Sequence, residues 1–205
     1  MSRSPVPAVL IASVLATAGV ARADADPEVV LAAEEYFAGE TRQGYAWAAV
    51  GAVSITLGSL GLASDSDLAR GMGYPMLAVG AIQLGAGVVS WISPPRRLRR
   101  ARAAVAVDAE AYRVAERKRM GRVVVGFRAL RVAEVAMMVI GAGLAIGGAR
   151  TDRDVLVGIG GGIAFQGLAM LALDAPAEGR AERYVERLSV SVAPGGVAVG
   201  WNSRW

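Results

Sequence analysis

The chain of 205 residues contains no cysteine and no histidine, and Lys118 is the single lysine among its 22 basic residues. Without cysteine there is no disulfide framework, no thiol nucleophile and no thiolate metal site. Without histidine, a Ser-His-Asp triad and the ordinary zinc sites are excluded as well, and haem ligation by either residue falls with them. No phosphate-binding loop, glycine-rich dinucleotide fingerprint or H-E-x-x-H stretch occurs. No catalytic constellation, metal site or cofactor is therefore expected. Charged residues make up only 20% of the chain against 54% hydrophobic, and the two classes are gathered into blocks instead of interleaved. That segregation is how membrane proteins read. The excess of arginine, alanine, valine and glycine suits a GC-rich bacterial coding bias.

Four apolar runs near 44–63, 72–93, 130–149 and 154–173 are each about 20 residues long, enough to cross a hydrocarbon core of about 30 Å. Tyr45, Trp47 and Trp91 fall where the ends of the first two should meet headgroups. Gly44, Gly51 and Gly58 recur every seven residues in the first run, and Gly73, Gly80 and Gly87 do so in the second. Gly141/Gly148 and Gly160/Gly167 repeat the spacing. Seven residues is close to two helical turns, so each set lines one stripe, where backbones approach closely and pack. A shift of 87 residues lays the first pair of runs on the second and matches the loop SDSDL (64–68) to TDRDV (151–155), which suggests duplicated hairpins. In both loops the acids could hold a hard cation, but Ser64-x-x-Asp67 and Thr151-x-x-Asp154 resemble capping boxes opening the next helix, and that account is preferred. The expected fold is mainly α: a polytopic helical membrane protein with four glycine-rich spans in two hairpins.

Outside the spans, residues 1–23 carry an apolar run and the small residues Ala21 and Ala23, the pattern of a signal peptide cleaved before Asp24. A short acidic segment, 24–43, follows. The first hairpin covers 44–93, the second 130–175, and a basic connector occupies 94–129. From Arg96 to Arg131 twelve basic residues face three acidic ones, and a helix over about 96–120 is expected there, amphipathic through Leu98, Ala101, Val105, Tyr112 and Ala115 and lying along the headgroups. Arg96, Arg97, Arg99, Arg100 and Arg102 are its candidate contacts for anionic lipid or a partner. The tail, 176–205, alternates at Leu188, Val190 and Val192, turns at Pro194-Gly195-Gly196 and alternates again to Trp201, a β-hairpin pattern.

Glu134, Gln83 and Gln166 are the polar candidates at membrane depth. Arg131 lies one turn before Glu134 and is expected to pair with it; the glutamines are expected to bond across helices. With no catalytic group in view, the leading expectation is a non-enzymatic envelope scaffold in the bacterial inner membrane. It would meet lipids, a protein partner or a second copy through connector and tail. The alternative is a small transporter or channel subunit using Glu134. Nucleic acid is disfavoured, since Tyr112 is the only aromatic in the basic helix. One conflict stands: a signal peptide puts the basic connector outside, whereas the positive-inside rule keeps it in the cytoplasm.

Overall fold

The computed structural model describes residues 26–190 and two short strands, Val192–Ala193 and Gly196–Val197. The expected signal peptide and most of the expected hairpin tail lie outside the described residues. The helices are α1 (Pro27–Leu62), α2 (Asp67–Ile92), α3 (Pro94–Val107), α4 (Ala109–Arg150) and α5 (Asp154–Ser189). Four helical stretches are long and apolar enough to cross a membrane. Three helices also run far beyond their apolar runs. α4 has 42 residues, about 63 Å at the usual rise per residue.

Glycine sets how the spans meet. A Cβ added at Gly51 would lie 2.7 Å from the Gly80 carbonyl oxygen, and one at Gly44 would lie 2.9 Å from that of Gly87. The stripes of α1 and α2 therefore meet backbone to backbone, in antiparallel register. α4 and α5 repeat this at Gly141 and Gly160, where the added atom would stand 2.6 Å from the Gly160 oxygen. The α1–α2 pair and the α4–α5 pair join through α2 and α5, at Gly71 and Gly158, whose Cβ positions would strike the carbonyls of Val155 and Leu68. Close approach of this kind is the main force available between helices in lipid. The 87-residue shift carries the stripe of α2 onto that of α5. On α4, however, the contact glycines sit three residues further along than the shifted positions of Gly51 and Gly58.

The polar extensions all lie at one end and form a second bundle, here called the stalk. The start of α1, all of α3, the start of α4 and the end of α5 surround a core of Val29, Ala33, Phe37, Val105, Met120 and Leu188. Here the acidic segment meets the basic connector: Arg97 pairs with Glu40 at 2.9 Å, Arg102 with Glu34 at 2.7 Å, and Arg113 with Asp26. Leu98, Ala101 and Val105 do form an apolar face of α3, which packs against α1 and α4 where headgroup contact was expected; Tyr112 of α4 meets Tyr184 of α5, and Ala115 is exposed.

Several expectations are corrected. The connector is not one helix, because Asp108 breaks it. Its extended backbone ends α3, and its carboxylate accepts from the Ala111 amide to start α4. The caps also differ. Ser64 accepts from the Ser66 amide only two residues on, which leaves Ser66 to cap α2 through Ala69. Thr151 donates back to the carbonyl of Gly147 and so finishes α4 instead of opening α5, which has no side-chain cap. Leu188 is helical and buried in the stalk core, so the alternation expected from Leu188 does not begin there. Val192 pairs opposite Val197 in the two-residue strands.

The glycine contacts predict a sharp contrast between neighbours. Gly160→Ala drives a methyl into the α4 backbone and should cost about 1–3 kcal/mol. Gly161 faces open space, so Gly161→Ala should be neutral or stabilise by up to about 1 kcal/mol. Thermal unfolding of both variants in detergent, followed by circular dichroism, checks this.

Candidate functional site

Polar side chains inside the bundle fall at two levels. At mid-depth, Gln83 on α2, Gln166 on α5 and Ser54 on α1 are buried together. Gln83 donates to Gln166 at 2.9 Å, Gln166 donates to Ser54 at 3.0 Å, and the Ser54 hydroxyl faces the Gln83 carbonyl oxygen at 3.5 Å. The three groups close a ring and satisfy one another, which ties three helices at one depth. Both glutamines bond across helices as the sequence suggested. Ser54 was missed, although it sits three residues after Gly51 and four before Gly58, on the stripe that faces the partner helix.

Glu134 is not part of that ring. It lies seven residues before Gly141, on the contact stripe of α4, with its backbone carbonyl against Gly167 of α5. It is 1% exposed, and neither carboxyl oxygen meets a hydrogen-bond donor. The expected pairing with Arg131 does not occur, because Arg131 reaches across to Glu178 on α5. Further along α5, Asp174 shares a cavity wall with Trp47 of α1.

Asp174 opens into a cavity of about 200 Å³ where the spans pass into the stalk. Glu40, Gln43 and Trp47 of α1, Ser90 of α2, Arg97 of α3, Arg119 of α4 and Arg180 of α5 contribute polar groups to its wall. Arg180 donates to Gln43 and lies against Gly39, where any side chain would displace it. Gln43 in turn donates to the Leu173 carbonyl at 3.1 Å. Arg119 is held by two bonds to Glu116, at 2.7 and 2.6 Å, and that pairing raises its affinity for a proton further. Burial pushes the Glu40 carboxyl up against the opposing pull of Arg97, and leaves one Glu40 oxygen without a partner. Burial lowers Arg180 from the ordinary arginine value.

Of the five expected arginine contacts, all are exposed on α3. Arg97 and Arg102 turn inward to Glu40 and Glu34. Arg96, Arg99 and Arg100 have no ion pair among the described residues, and Arg100 borders a cavity of the stalk beside Phe37 and Tyr112. Comparison with family models, with curated proteins and with solved structures finds no match. The four apolar helical stretches define a multi-pass membrane protein.

Above the cavity, Tyr36 stacks on Tyr184 with ring centroids 4.7 Å apart, and the Tyr184 hydroxyl meets that of Tyr112 at 3.0 Å. Burial, with Glu40 nearby, pushes the Tyr36 phenol from 10.0 up to about 12. A phenol whose folded value is raised contributes stability that is complete below the unfolded value. That contribution is lost as pH rises through the folded one. The stalk should therefore lose stability between pH 10.0 and about 12. Tyr36→Phe should flatten that slope, read as thermal unfolding across the alkaline range.

Proposed function

We propose that the chain is a non-enzymatic scaffold of the bacterial inner membrane, which holds a charged helical stalk at the membrane surface as a contact site. One observation carries this reading, the divided use of arginine. Arg97, Arg102, Arg113, Arg119 and Arg187 are tied to carboxylates of the stalk itself. Arg96, Arg99, Arg100, Arg117, Lys118 and Arg122 are exposed and make no such pair among the described residues. The second group has no carboxylate of the stalk to neutralise it and is free for an anionic partner, each cation contributing about 1 kcal/mol beside an anionic surface. Those nearest the spans meet anionic headgroups, and those further up meet an acidic protein surface or a second copy, with the C-terminal hairpin as a docking element. No cofactor is required. A cleaved signal peptide places the stalk on the periplasmic side.

A transporter is the second reading, favoured by the burial of Glu134. The scaffold reading expects vesicles containing the purified chain to be no more permeable to protons or alkali cations than protein-free vesicles. A flux present in the wild type and removed by Glu134→Gln would replace it with the transporter. In cells, a photo-crosslinker at Arg99 or Lys118 should give one discrete adduct, weakened at least several-fold by Arg100→Glu with Arg122→Glu. Alkaline phosphatase fused at Asp108 should be active, and a fluorescent protein at the same point dark; the reverse would place the stalk in the cytoplasm.

A further inference from the structure

We propose that the junction cavity is a headgroup site for phosphatidylethanolamine, taking the ammonium of the lipid at Glu40 and Asp174 and its phosphodiester at Arg180. The case begins with opposite charges that share one wall without meeting. Glu40 of α1 and Asp174 and Arg180 of α5 all border the cavity of about 200 Å³. Among the described residues Glu40 pairs only with Arg97, at 2.9 Å through Oε1. Its Oε2 is buried and meets no donor. Asp174 and Arg180 form no ion pair among those residues, and the Arg180 guanidinium donates to the Gln43 side-chain oxygen. Arg119, on the same wall, is already matched by Glu116 at 2.6 Å. A buried acceptor left without a donor is costly, so a ligand that supplies one is favoured. A simple anion would answer Arg180 and be repelled by the two carboxylates, and a simple amine would do the reverse. An ethanolamine phosphodiester carries both signs on one short arm. Its ammonium brings three donors, and its phosphate oxygens accept from a guanidinium fork.

Depth identifies the bilayer as the source. Tyr45 and Trp91 are exposed, with ring centroids 4.5 Å apart, and such a belt of aromatic rings sits at headgroup level. Trp47, two residues after Tyr45, and Ser90, next to Trp91, both border the cavity. The cavity therefore lies at the height where lipid phosphates are presented. Val123 and Phe127 of α4 give its wall an apolar side for the lipid's glycerol and upper methylenes. The cationic group is also held in place beforehand. Arg180 lies against Gly39, and its acceptor Gln43 is anchored by donating to the Leu173 carbonyl at 3.1 Å. A group ordered in advance loses less freedom on binding. This inference is independent of the scaffold reading. The exposed arginines of α3 favour lipids of net negative charge, whereas the cavity favours a headgroup that carries both charges.

Native mass spectrometry of the full chain tests it. The delipidated protein in detergent is titrated with phosphatidylethanolamine, phosphatidylcholine or phosphatidylglycerol of the same acyl chains. Phosphatidylcholine keeps both charges but has no N–H to donate, and phosphatidylglycerol has no cation. The expected result is one saturable phosphatidylethanolamine site about tenfold tighter than phosphatidylcholine at that site, the worth of one charge-assisted hydrogen bond. Glu40→Gln should bring the two lipids level, while Arg180→Gln should weaken both alike. Arg187→Gln, which breaks an exposed pair with Glu35 away from the cavity, should keep the preference. Circular dichroism of each variant confirms that the helices are formed, and the comparison of lipids on the wild type stands without any variant. Equal binding of the three lipids, or a preference that survives Glu40→Gln, overturns the proposal. Soluble glycerophosphoethanolamine should compete only in large excess; competition at equal concentration would overturn the bilayer as the source.

Discussion

The contact on which the rest depends is the meeting of glycine backbones between antiparallel spans. In lipid there is no hydrophobic drive between helices, so close packing has to supply the attraction. Gly44, Gly51 and Gly58 against Gly87, Gly80 and Gly73 fix not only the distance between α1 and α2 but their register. Register then decides what lies at each height. It brings Ser54 level with Gln83, and between α4 and α5 it lays Gly167 against the backbone of Glu134. A side chain that interrupts a stripe has nowhere to go but into the interface. That is why Ser54, Gln83, Gln166 and Glu134 are all buried.

The stalk inverts this chemistry along the same helices. Once α1, α4 and α5 leave the apolar region, glycine stripes give way to a core of Phe37, Val105, Met120 and Leu188, stacked tyrosines and ion pairs on the outside. Hydrophobic burial works there because water is available to exclude. The two modes meet at the junction cavity, where neither is complete. Glycine packing has ended at Gly44, the apolar core begins near Phe37, and the space between is lined by arginine, carboxylate and aromatic groups. An incomplete join of this kind leaves room for chemistry that a continuous core would exclude.

Much of the span architecture was legible. Apolar length located all four runs, and the seven-residue spacing of glycine marked the faces that touch. The polar residues on those faces were equally available from their spacing to the glycines: Ser54 could have been added by that rule, and Glu134 placed on the α4–α5 seam. The stalk was not legible, because its three segments are separated by spans and each looks complete alone. An acidic segment, a basic connector and a polar tail gain meaning only when the packed helices bring them side by side. Arg131 shows the reason in one residue. Its local neighbour Glu134 is three positions away, but its partner Glu178 lies 47 positions along the chain. The break at Asp108 escaped notice since neither proline nor glycine marks it; a capping aspartate suffices.

α4 passes unbroken from the top of the stalk to the far loop, with no proline and no cap along its 42 residues. Its glycines touch α5 within the span, at Gly141 and Gly148, while Gly121 and Gly126 stand in open space. The rod is held at two heights, by its glycines in the span and by Met120 in the stalk core, so a sideways load on the exposed arginines of the stalk is carried along one continuous helix to the α4–α5 seam.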